Sequence, residues 1–196
     1  SSIEPLRDFV SRFGIYMSSL LLMIIATYRL TDIVMGPMAS PFYLDSGYTL
    51  KEIGYIVKIV AVVASIVGFF LGGLLVKKVG VKTTLIIGAF LVMLTNLSFS
   101  SVAILEKDLT LLGFVVGIDS LAAGVVGTAN ITFLTSLVSK KYTAVQYALL
   151  TSFMKLPGKV FSGFSGLIAD YFKNLYGNDY GWMIFFITTS FLTIPC

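Results

Sequence analysis

Residues 13–34 read FGIYMSSLLLMIIATYRLTDIV, an apolar run long enough to cross a bilayer that carries Tyr28-Arg29-Leu30-Thr31-Asp32 near its end. An ionisable side chain at the centre of a membrane helix costs roughly 2.5 to 3.5 kcal/mol on insertion scales, so it usually faces other helices or a water-filled cavity. Arg29 and Asp32 are spaced i, i+3, which puts them on one helix face where they can partly neutralise each other. Two readings follow from position alone: an ion pair reaching to a membrane surface, or a face lining a polar route through a helical bundle.

Composition carries the fold class outward from this stretch. Only 12% of the 196 residues are charged and 57% are hydrophobic, against about 25% charged in soluble domains; the chain reads as an all-α, polytopic membrane protein. Backbone groups in lipid must be satisfied within the segment, and the runs are too long for barrel strands. Six spans are expected, at about 13–34, 53–76, 83–105, 109–138, 143–169 and 181–196, preceded by a linker over 1–12. Seven cations fall in the amino-terminal segment and the loops at Lys77-Lys78-Val79-Gly80-Val81-Lys82 and Ser139-Lys140-Lys141, against three (Lys51, Lys107, Lys173) in the other connections. That asymmetry predicts a cytoplasmic amino terminus and cytoplasmic basic loops, and it accounts for the net charge of +4 without nucleic acid. There is no His and a single Cys, Cys196, which removes His-based catalytic dyads, most His-containing metal sites and any internal disulfide. No enzyme activity, metal or cofactor is expected.

Along the chain, Thr49 and Glu52 fit a capping box that opens the second helix. Gly68, Gly72 and Gly73 there, and Gly113, Gly117, Gly124 and Gly127 in the fourth helix, predict faces where helices approach closely. Asn96 reads as interhelical glue in the third. Met35 to Lys51 reads as a connection, as does the aromatic stretch 170–180; Tyr171, Tyr176, Tyr180 and Trp182 are expected as interfacial anchors. Pro157, between Lys155 and Lys159, predicts a kink. Arg29, Asp32, Lys58, Asp119, Lys155 and Lys159 are the ionisable groups inside apolar segments; their charges sum to +2, which favours an anionic ligand. The chain begins and stops as if it were part of a longer protein.

The run Lys141-Tyr142-Thr143-Ala144-Val145-Gln146-Tyr147-Ala148-Leu149-Leu150-Thr151-Ser152 closely resembles a segment of the AmpG-type muropeptide permeases. Pro5-Leu6-Arg7-Asp8-Phe9, Tyr28-Arg29-Leu30-Thr31-Asp32, Ile53-Gly54 with Lys58 and Gly68, and Asp119-Ser120-Leu121 with Gly124-Val125-Val126-Gly127-Thr128-Ala129 follow the same family in the same order. The glycine-and-basic stretch from Gly72 to Gly80 resembles the signature found in both halves of the major facilitator superfamily. The likeness is to the carboxyl-terminal half only. It implies one six-helix half of a major facilitator fold in the bacterial inner membrane, importing an anionic sugar peptide, the anhydro-muropeptide, with protons in cell-wall recycling. Arg29, Lys58, Lys155 and Lys159 are the expected substrate contacts; Asp32 and Asp119 are the expected proton carriers. A lone half needs a complementary six-helix half or a second copy of itself. The alternatives are an acetyl-CoA type of transporter, or an accessory or decayed half-protein that transports nothing.

Overall fold

The computed structural model describes residues 4–28 and 30–191, all of whose regular structure is helical. Helix α1 (Glu4–Phe13) precedes α2 (Ile15–Tyr28) and α3 (Leu30–Asp45); then come α4 (Leu50–Tyr55), a π-helical turn over Ile56–Ala61 and α5 (Val62–Val79). The chain continues through α6 (Val81–Ile104), α7 (Leu109–Leu137), α8 (Thr143–Tyr176) and α9 (Asn178–Phe191). Among the described residues four stretches are long and apolar enough to cross a membrane: Ile15–Asp45, Leu50–Val79, Val81–Ile104 and Leu109–Leu137. Helix α8 is longer still at 34 residues, but Lys155, Lys159, Asp170 and Lys173 lower its apolar character, and α9 has 14 described residues.

The expected segment boundaries need correction at three places. The first span does not end at 34: α3 runs through Pro37 and Pro41 to Asp45, and Phe42 and Tyr43 on its far turns are buried. Proline removes a backbone donor, yet neighbouring helices make such losses tolerable inside a bundle, and here they gain two aromatic side chains for the core. The loop expected over 170–180 shrinks to Gly177, which ends α8 at φ +83°. Such a conformation suits glycine because it has no Cβ. The linker expected over 1–12 contains α1, whose Phe9 is buried against the bundle.

The capping box is as expected. Thr49 Oγ1 accepts from the Glu52 amide at 3.3 Å, and the Glu52 carboxylate takes the Thr49 amide at 2.7 Å. The small-residue faces meet in part: α5 lies directly on α7, where a methyl group added at Gly68 would fall on the Leu121 carbonyl and one at Gly124 would lie 2.5 Å from the Ser65 carbonyl oxygen, whereas Gly73 and Gly113 have no neighbouring atom within 4 Å of such a group. Helices packed this closely gain contact from backbone atoms, which apolar side chains in lipid cannot otherwise supply.

Two cores occupy the two ends. At the end of the acidic loops, Phe42, Tyr43, Phe99, Trp182, Phe185 and Phe186 form an aromatic cluster, with the Phe42 and Phe186 rings 4.7 Å apart. Trp182 is covered by the bundle: it is 1% exposed, and its Nε1 donates to Asp45 Oδ2 at 3.1 Å. Tyr171, Tyr176 and Tyr180 are exposed. Lys173 pairs with the same Asp45 oxygen at 3.1 Å, tying the α8–α9 turn to the end of α3. Glu52 and Lys107, 2.9 Å apart, tie α4 to the α6–α7 loop. At the basic end Phe9, Ile25, Leu134, Leu137, Leu150 and Met154 pack together. Gln146, 2% exposed, is the polar hub there: its Nε2 donates to the Pro5 carbonyl and to Asp8, and its Oε1 accepts from the Ser139 amide at 2.6 Å and from Arg12.

Pairing among the long helices has a regular order. Helices α2 and α3 pack on α8, α7 packs on α5, α6 lies along α7, α9 touches α3, and α6 meets α9. Two consequences can be measured. Gly124→Val places side-chain atoms against the Ser65 and Gly68 backbone and is expected to destabilise the bundle by about 3 kcal/mol, the upper range for overpacking; thermal unfolding in detergent followed by Trp182 fluorescence reads this as a lowered midpoint. Gln146→Leu leaves the Ser139 amide and the Arg12 guanidinium short of an acceptor, at a cost of roughly 2 kcal/mol. Amide exchange in α1 should then quicken while exchange in α6 stays unchanged.

Candidate functional site

A cavity of about 160 Å³ lies where α3, α6, α7 and α9 converge, below the aromatic cluster. Asp32, Gly36, Ala39 and Tyr43 reach it from α3, Val92, Asn96 and Phe99 from α6, Asp119 and Ala123 from α7, and Phe186 from α9. The spacing on α3 explains its contribution, because positions 32, 36, 39 and 43 recur every three or four residues and so share one helix face.

Asp119 is anchored. Thr95 Oγ1 donates to its Oδ1 at 2.8 Å, and the same hydroxyl lies 3.0 Å from the Val92 carbonyl, an alternative acceptor for its single proton. Asp32, one turn beyond Tyr28, has interactions of its own within the bundle. Two carboxylates therefore border one small cavity. Asn96 also borders the cavity; it is 2% exposed, and its Nδ2 has no hydrogen-bond partner among the described residues. The interhelical bond expected of Asn96 is made instead by its neighbour Thr95.

The remaining charged positions are placed differently. Lys58, in the π-helical turn, and Lys155 and Lys159 on α8 are exposed and do not border this cavity. Val57 and Ile59 flank Lys58 on the surface, and Leu156 and Val160 lie beside the two α8 lysines. Arg29 lies outside the described residues. The structure therefore brings Asp32 and Asp119 together and leaves Lys58, Lys155 and Lys159 on the outer surface. Among the described residues no group of three acidic, Cys or His side chains is gathered closely enough to hold a metal ion.

Sequence reasoning passed over Tyr43, which lines the cavity, and Thr95, which holds Asp119 by a hydrogen bond. Tyr43 was hidden in the stretch read as a connection, although it stands eleven residues, three helical turns, beyond Asp32. Thr95 had only its place next to Asn96 as a signal.

No family model matches the chain. A protein of Rickettsia felis named as the candidate transporter AmpG 4 is 33% identical over 193 residues, 98% of this chain and 44% of the relative. One of Rickettsia prowazekii named as the candidate transporter AmpG 1 is 31% identical over 180 residues, 92% of this chain and 39% of the relative. One from Rickettsia bellii with the same name is 33% identical over 176 residues, 90% of this chain and 41% of the relative. The chain thus spans less than half the length of these curated relatives, which are named as transporters and not as enzymes. Along nearly its whole length the chain is similar to part of proteins named as AmpG transporters, and its apolar helices suit a multi-pass membrane protein.

Proposed function

We propose that the chain is the carboxyl-terminal half of a major facilitator permease that imports anhydro-muropeptides across the bacterial inner membrane, driven by protons, for cell-wall recycling. The observation that carries this reading is the shared cavity of Asp32 and Asp119. The packing order supports it. If α2–α3, α5 and α6 are set against α7, α8 and α9, then the first helix of each set packs on the second helix of the other, and the two third helices meet. Three-span repeats inserted in opposite directions produce such an exchange, and transporter sites lie at the junction of the repeats. Asp32 and Asp119 both belong to the first helix of their set.

In this reading Asp32 and Asp119 hold the coupling proton. Protonation removes a negative charge from the cavity, and a shift in helix packing changes which neighbours the carboxyls meet; that couples proton release to the movement. Arg29, Lys58, Lys155 and Lys159 offer cations to the carboxylates of the sugar peptide. Exposure of the three lysines fits a binding face completed by a second six-helix body, either a complementary half or another copy. The surface of α5 fits such a partner as well: Val62, Val63, Ile66 and Phe70 are all more than half exposed. The basic loops and α1 face the cytoplasm in this orientation.

The test is uptake of labelled anhydro-muropeptide into inverted or right-side-out vesicles that contain this chain together with its complementary half. Asp119→Asn is expected to lower proton-driven accumulation by about tenfold or more, equivalent to ~1.4 kcal/mol or more of lost coupling, while exchange of substrate across a membrane without a pH gradient persists. Unchanged accumulation, with unchanged dependence on external pH, removes Asp119 from the coupling role. Competition by acetyl-CoA in place of muropeptide would assign the other ligand class.

A further inference from the structure

A second concavity, about 530 Å³, opens on the outside of the bundle between α2 and α6, with Phe133 of α7 at its floor. Leu20, Leu21 and Ile24 of α2 and Leu85, Ile86, Phe90 and Met93 of α6 line it. No described helix fills it: Ile86 is 72% exposed and Phe90 57%. Its polar groups are confined. The Tyr28 hydroxyl is engaged, donating to the Leu85 carbonyl at 2.9 Å, and Lys82 stands exposed at the end where α6 begins. Lys77 and Lys78, in the last turn of α5, lie just across the Gly80 turn from Lys82.

We propose that this groove is a binding site for one anionic phospholipid, with an acyl chain lying between α2 and α6 and its phosphate at Lys82. The charge pattern selects this occupant. An apolar trough closed at one end by an ammonium group, beside two more at the same membrane surface, matches a lipid tail continuous with a negative headgroup. A zwitterionic lipid would fill the trough equally well but leave the three lysines without a net counter-charge. A lysine suits a phosphate, as a compact point charge on a flexible stem that can follow the headgroup. Within the groove the lipid would add to the Tyr28–Leu85 hydrogen bond between α2 and α6, and so brace the basic end of the bundle.

The experiment is native mass spectrometry of the full chain released from vesicles of equimolar phosphatidylglycerol and phosphatidylethanolamine. The wild-type chain is expected to retain phosphatidylglycerol over phosphatidylethanolamine by about fivefold, the factor that one lysine near an anionic surface supplies. Lys82→Gln should bring the two lipids close to parity without reducing total retention. Ala89→Trp, which fills the groove, should cut retention of both by more than half. Far-UV circular dichroism of each variant confirms that helix content is intact. Retention without headgroup preference, preference unchanged in Lys82→Gln, or retention unchanged in Ala89→Trp overturns the proposal. Failure of the wild-type chain to retain either lipid also overturns it, and would leave the groove to a protein helix.

Discussion

Charge inside hydrocarbon must find water, a counter-charge or a hydrogen bond, and this requirement shapes the bundle more than any apolar contact does. Asp119 sits ten residues into α7, too deep for its short side chain to reach a surface, so α7 has to present it to an interior space. Thr95 supplies the hydrogen bond, and the convergence of α3, α6 and α9 supplies the space. The long side chains behave otherwise. Lys58, Lys155 and Lys159 have stems that allow their charge to be carried outward, and they are found exposed.

Close packing makes the interior space possible. Glycines at Gly68 and Gly124 let α5 and α7 approach until backbone touches backbone, which fixes α7 as the central post of the bundle. Helix α7 also holds α6, and α6 in turn meets α9, so the position of Asp119 is set from several sides. The ends are tied by polar groups that water or headgroups can reach. Asp45 gathers Lys173 and Trp182 at one end, and Gln146 gathers α1 and the α7–α8 connection at the other. Ion pairs that are part-exposed contribute little energy singly, so their effect here is to set the register between connections.

Much of this was legible in the sequence, for physical reasons that differ residue by residue. The capping box at Thr49 and Glu52 is local chemistry, readable from spacing alone, and it formed. The glycine faces were readable because small residues have few other uses in lipid. Asp32 and Asp119 stood out because their burial is expensive, although nothing in the sequence shows that they border the same cavity. The stretch after Val34 misled: read as a connection between apolar runs, it continues as helix to Asp45 and places Phe42 and Tyr43 in the core. Trp182 was read from its type alone, which does not show that the aromatic cluster and Asp45 cover it. Both failures concern interactions between segments far apart in the chain, which spacing does not encode.

The account stands on Asp32 and Asp119 bordering one cavity, and cross-linking addresses that most directly. In a chain with Cys196→Ser, Asp32→Cys and Asp119→Cys together should be bridged by a short bifunctional thiol reagent, with a shift in mobility that the pairing of Asp119→Cys with Lys155→Cys does not give. Absence of a bridge between positions 32 and 119, while each single thiol reacts with a monofunctional reagent of the same size, would contradict a shared cavity and with it the coupling role assigned to the two acids.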